Sequence, residues 1–250
     1  MKRYVAIGDS TTEGLEDPSP EGSGHLGFAD RLAIRLAREH PDLLYANLAV
    51  RGRKLRQIRD EQLEAALALE PDLVTVVGGL NDVLRPRMEL EAVVADLGAM
   101  VAAFRETGAT VLGMTFPDPS RIMPAARLVR ARVIAFNEGM RDIAAQQQML
   151  LVDLEELGVV DRRLWSADRL HANTAGHRRI AAAMTQALGL EADEDPWAPL
   201  PPSDPARRIQ AVWGETRWIA RHMTPWVLRR VRGRSSGDGR AAKRPQLTPV

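Results

Sequence analysis

Pro71-Asp72-Leu73-Val74-Thr75-Val76-Val77-Gly78-Gly79 contains a breaker, a β-branched run without charge or polar alternation, and a glycine pair. A run of this kind has both faces covered, as in a strand at the centre of a parallel sheet. The same unit recurs on either side of it. Upstream, Arg3-Tyr4-Val5-Ala6-Ile7 reads as a strand ended by Gly8, and residues 27–39 carry the helical period of Phe28, Leu32 and Leu36. Pro41-Asp42 then breaks the chain before a second strand at 43–48. Leu55, Ile58, Leu63, Ala66 and Leu67 give residues 53–69 a second helical pattern. Downstream, a helix over 89–106 stops at Gly108, a strand covers 110–115, and a helix runs from Pro124 to Gln147. Leu150-Leu151-Val152 is the fifth strand, and a last helix covers 174–188. Five strands alternating with helices predict an α/β sandwich on a five-stranded parallel sheet. Right-handed crossovers then bring the loops that follow the strands to one carboxyl edge.

The 250 residues suffice for one large domain with a full core, and 45% hydrophobic with 27% charged residues is an ordinary soluble composition. With no cysteine, disulfides and thiol chemistry are excluded. The N-terminus lacks the apolar run of a signal peptide, and no stretch has the length of a membrane span, so the expected location is the cytoplasm. Gly8-Asp9-Ser10-Thr11-Thr12-Glu13-Gly14 lacks the Lys-Ser/Thr ending of a phosphate loop. No set of His and carboxylates has metal-ligand spacing, so neither metal nor cofactor is expected.

The pattern changes after Gly189. We divide the chain into an α/β domain at 1–190 and an extension at 191–250. The extension comprises a Pro-rich linker, a helical arm over 206–231 and a basic, mobile tail over 232–250. Trp197, Trp213, Trp218 and Trp226, four of the five tryptophans, lie in it. Rings of that size are expected to dock on the domain. The last thirty residues hold eight Lys and Arg against the single acid Asp238. Such an arm could contact an anionic membrane surface. Its arginines are not interleaved with aromatics, so no nucleic acid is expected as a partner.

Four short segments fall at strand ends: Gly8-Asp9-Ser10, Asn47 to Gly52, Gly79-Leu80-Asn81-Asp82, and Asp168-Arg169-Leu170-His171 before the last helix. A serine hydroxyl needs an adjacent base to become a nucleophile, and histidine titrates in the right range. An aspartate three residues before that histidine can hold its second N–H, which makes Ser10, Asp168 and His171 a candidate triad.

Together these four blocks resemble the SGNH (GDSL-type) hydrolase family over about residues 1–190. The resemblance implies a three-layer, flavodoxin-like α/β/α fold, a nucleophilic Ser10, and an oxyanion hole made by the backbone N–H groups of Ser10 and Gly52 with the Asn81 amide. It implies a serine esterase acting on a small-molecule carboxylic ester through an acyl-enzyme. Acyltransferase, thioesterase and sugar O-deacetylase chemistry would use the same residues. A noncatalytic module binding anionic partners through the basic tail is the alternative outside enzymology.

Each residue has a plainer reading when taken alone. Gly-Asp-Ser is a common turn and helix start, and Asn81-Asp82 and Asp168 suit turns and caps. Asp9 is expected to shape its turn, Asp82 to cap a helix, His177 to be structural, and His25 to be a solvated loop residue.

Overall fold

The computed structural model describes residues 1–22, 24–85, 87–155, 161–202 and 236–250. Six strands form one sheet: β1 (Arg3–Gly8), β2 (Leu44–Asn47), β3 (Leu73–Val77), β4 (Thr110–Met114), β5 (Leu150–Val152) and β6 (Arg244–Pro249). Their order is β5-β4-β3-β1-β2-β6, with the first five parallel and β6 antiparallel to β2. Every residue of Leu73–Val77 is buried, so successive side chains find cover on both sides of the sheet. That cover comes from the helices α1 (Ser10–Glu13), α2 (Gly27–Glu39), α3 (Leu55–Ile58), α4 (Glu64–Ala68), α5 (Leu80–Val83), α6 (Leu90–Glu106), α7 (Arg130–Gln147) and α8 (Thr174–Ala187). Helix α2 packs on α8, and α6 packs on α7. The expected mixed α/β architecture is therefore present.

The strand order creates the site. From β1 the chain passes outward to β2, then returns across β1 to β3 on its other side. The loops leaving β1 and β3 diverge there, and such a crevice at the carboxyl ends of the strands is where open α/β sheets take ligands.

Three details differ from the sequence expectations. The sheet has six strands where five were expected. Residues 244–249, expected to be mobile tail, form its edge, with Tyr45 opposite Thr248 and Asn47 opposite Arg244. Pro245 and Pro249 obscured this strand, because proline lacks the ladder N–H and is tolerated only at sheet edges. The stretch at 53–69 is also not one α-helix: a π-turn at Arg59–Leu63 separates α3 from α4. Pro124 opens a short 3-10 turn, Pro124–Leu128, and α7 begins only at Arg130.

Residues 191–198 are tied to α2 and α8 by arginines. Arg35 Nε donates to Glu191 O (2.9 Å), Arg178 pairs with Glu194 (3.1 Å), and Arg179 donates to Ala198 O (2.6 Å). Trp197 packs partly buried against the core and donates its Nε1–H to Gln186 Oε1 (3.0 Å). The helical arm expected at 206–231, with Trp213, Trp218 and Trp226, lies outside the described residues. Among the described residues no helix is long and apolar enough to cross a membrane.

Candidate active site

Ser10 stands at the start of α1, immediately beyond β1. Its turn is built from beneath by Gly8, where an added Cβ would lie 2.2 Å from Val77 O and 2.3 Å from Thr12 Oγ1. Only glycine lets β1, β3 and α1 approach this closely. Gln62, placed by the π-turn, holds both polar groups of Gly8: its Oε1 accepts from Gly8 N–H and its Nε2 donates to Gly8 O, each at 2.9 Å. Such bulges recur at functional sites. Nothing in the helical period distinguishes Gln62 from a surface polar residue, so it was not anticipated.

The four separated segments meet in one crevice. Ser10 Oγ lies 2.9 Å from His171 Nε2, and His171 Nδ1 lies 2.6 Å from Asp168 Oδ2. A ring nitrogen against a carboxylate carries the proton, which leaves Nε2 as the acceptor for the Ser10 hydroxyl. The other oxygen of Asp168 accepts from Ser166 Oγ–H (2.6 Å), Leu170 N–H (2.9 Å) and His171 N–H (3.0 Å). Ser166 is a second supporting residue that the sequence reading missed. Between acid and base, Arg169 adopts a left-handed φ of 59°, sparsely populated by residues with a Cβ. That tight turn brings Asp168 back onto the ring.

The charges follow from this packing. Burial works against a charged Asp168 and a charged His171, yet their mutual hydrogen bond and attraction outweigh it. The carboxyl is held below its usual range and the imidazole above its own. The pair therefore favours the imidazolium form of His171.

Asp9 does more than shape its turn. Its Oδ1 accepts from Thr11 N–H (3.1 Å), and its Oδ2 accepts from Asn81 Nδ2 (3.0 Å), which also donates to Arg53 O (3.2 Å). Burial pushes its carboxyl up to about 6. Asp82 caps α3 by accepting from Leu55 N–H at 3.0 Å, so its cap serves a different helix from its own. His177 is fully buried: Nδ1 accepts from Phe28 N–H and Nε2 donates to Leu15 O, both at 3.2 Å. His25 forms an isolated bridge to Pro18 in the loop before α2.

Gly52 has a φ of 77° in the loop after β2, beside Arg51, whose backbone N–H and guanidinium are both bound by the Glu13 carboxylate. An apolar cleft borders the triad, lined by Met114, Phe116, Leu154, Trp165 and Ile180 and reaching Thr11 and Leu170. Among the described residues no group of three or more His, Asp or Glu is placed to hold a metal ion.

Residues 6–179 match the model of the GDSL-like lipase/acylhydrolase family. The chain belongs to that family. Its members hydrolyse esters, and this protein is an ester-hydrolysing enzyme of the carboxylic ester class. An acetylxylan esterase of Geobacillus stearothermophilus is 28% identical over 208 residues, which cover 76% of this chain and 95% of that protein. An alpha/beta hydrolase enzyme from the metagenome of Lake Arreo, Spain, superimposes with a TM-score of 0.62 at 26% identity, covering 75% of this chain and 95% of its own. The crystal structure of an acetyl xylan esterase from the same Geobacillus species gives 0.63 at 21% identity over 77% of this chain and 96% of its own, a likeness of fold. Structures described as catalytic mutants of that esterase replace a serine, a histidine, and an aspartate three positions before the histidine.

Proposed function

We propose that this enzyme is a serine esterase that removes short acyl groups through an acyl-enzyme on Ser10. The observation that carries the proposal is the continuous hydrogen-bond chain from Ser10 Oγ through the His171 ring to Asp168, at 2.9 and 2.6 Å. Ser10 Oγ attacks the ester carbonyl as its proton passes to His171 Nε2. The resulting oxyanion is held by the Ser10 and Gly52 N–H groups and the Asn81 amide. Asn81 serves it by exchanging its longer bond, the one to Arg53 O, while the bond to Asp9 keeps the amide in place. His171 gives its proton to the departing alkoxide, leaving an ester on Ser10. It then takes a proton from water, which attacks that ester; the acid departs and the proton returns to Ser10. The apolar cleft beside Thr11 and Leu170 suits the acyl group.

A second reading narrows the alcohol side to a carbohydrate, making the enzyme a sugar O-deacetylase. The similarity to an acetylxylan esterase over most of both chains favours it. Release of acetate from acetylated xylo-oligosaccharides, compared with nitrophenyl esters from acetyl to palmitoyl, would separate the two readings.

Ser10→Ala tests the nucleophile. Hydrolysis of a short-chain nitrophenyl ester should fall by roughly 10³-fold or more, with the residual rate due to binding and the oxyanion donors. Survival within about tenfold would overturn the assignment of Ser10.

A further inference from the structure

The family match ends at residue 179, yet a segment nearly sixty residues later packs on the loop that follows β2. Gly237, ahead of β6, sits directly on the loop that carries Gly52. A Cβ at 237 would lie 2.1 Å from Arg51 O and 3.1 Å from Val50 Cγ1. The Arg51 carbonyl and the Gly52 N–H belong to the same peptide plane, and in a trans peptide they point in opposite directions. Whatever covers that carbonyl therefore governs where the N–H is aimed. Gly52 cannot fix the plane by itself, because glycine tolerates several orientations that other residues do not.

Other contacts close the clamp. Lys243 Nζ sits among four oxygens that share its three N–H groups: Glu13 O (2.8 Å), His25 O (2.9 Å), Leu26 O (3.0 Å) and Asp30 Oδ2 (2.8 Å). Glu13 is the last residue of the short helix that Ser10 begins, and its carboxylate binds the Arg51 N–H at 2.8 Å. Asp238 pairs with Arg53, the residue after Gly52, at 3.7 Å. The strap thus grips both residues flanking Gly52 and the helix of Ser10.

We propose that residues 236–249 form a strap that locks the Arg51–Gly52 peptide with its N–H turned toward the reacting carbonyl, Gly237 and Lys243 being its positioning residues. The proposal rests on the reading of Gly52 as an oxyanion donor. Gly237→Ala in the full chain should lower kcat about tenfold to hundredfold, less than the roughly 10²–10³ of a lost donor, with KM unchanged within about twofold. Lys243→Met should lower kcat in the same direction. Both rates are taken per active site, counted by titration with a fluorophosphonate, so that a loss of folded enzyme does not imitate an effect on the reaction. Unchanged kcat per titrated site in both variants would overturn the strap, as would a loss confined to the number of titratable sites. Ser10→Ala is run beside them. If it abolishes hydrolysis while both strap variants keep their kcat, only the strap proposal falls. If it leaves hydrolysis intact, the oxyanion reading and the strap fall together.

Discussion

In the proposed mechanism His171 must be neutral to accept the Ser10 proton, and its surroundings set the pH at which that holds. Burial disfavours the imidazolium, but the bonded Asp168 carboxylate outweighs it, and the charge of Asp9 adds to the same side. The folded imidazole therefore titrates above the ordinary value near 6.5. Activity should rise with pH through that raised value and level off above it. In Asp9→Asn a carboxylate oxygen facing Asn81 or Thr11 becomes an N–H₂ group, a donor set against a donor. The loss of its charge also lowers the His171 pKa. The expected result is a kcat about tenfold lower, with the acid limb of the kcat/KM profile moved to lower pH. An unmoved limb would show that Asp9 does not act on His171. Asp9 and Ser10 are adjacent in the sequence, so a turn there was legible. That the carboxyl would reach Asn81, 72 positions away, was not.

Elements appear where residue pattern and burial agree, and they shift where a local bond overrides the pattern. Helix α2 spans Gly27–Glu39, as the spacing of Phe28, Leu32 and Leu36 requires. The stretch from 55 to 68 follows its period but admits a π-turn, which turns Gln62 inward to the peptide groups of Gly8. Gln62→Leu keeps the bulk and removes both bonds, so two buried backbone groups lose their side-chain partner. The expected cost is about 2–4 kcal/mol in urea unfolding, with kcat lowered as the Ser10 turn loosens. Loss of stability below about 0.5 kcal/mol would mean that the backbone or water replaces those bonds readily.

At the scale of the whole molecule, His177 joins α8 to α2 and to the loop after Ser10. Burial lowers its pKa from 6.5 to about 4. Between these values the unfolded chain holds a proton that the folded chain does not, so stability falls as pH drops through this window and levels off below it. The full effect is of order 3 kcal/mol by the conversion of pKa shift to free energy. His177→Gln should flatten the slope of unfolding free energy between pH 7 and pH 4.5 relative to the parent. Equal slopes would mean that His177 titrates alike in the folded and unfolded chains. The C-terminal strand acts at the same scale. It covers the edge of β2, and its own Pro245 and Pro249 lack the N–H groups that another strand would need.

The sequence by itself determined the five parallel strands, the helices between them and the four segments that carry Ser10, Gly52, Asn81 and the Asp168–His171 pair. These are matters of hydrophobic period, breakers and short-range spacing, which act along the chain. The folded structure alone decided which groups meet: Gln62 under Gly8, Asp9 on Asn81, Ser166 on Asp168 within their turn, and residues 244–249 on the open edge of β2. Their partners lie from 2 to more than 200 positions away, and a single hydrogen bond leaves no period behind it. An exposed strand edge accepts whatever segment arrives with a compatible backbone, even one with two prolines and few apolar side chains. Side-chain preference therefore failed to announce β6, while backbone pairing at a free edge was sufficient to form it.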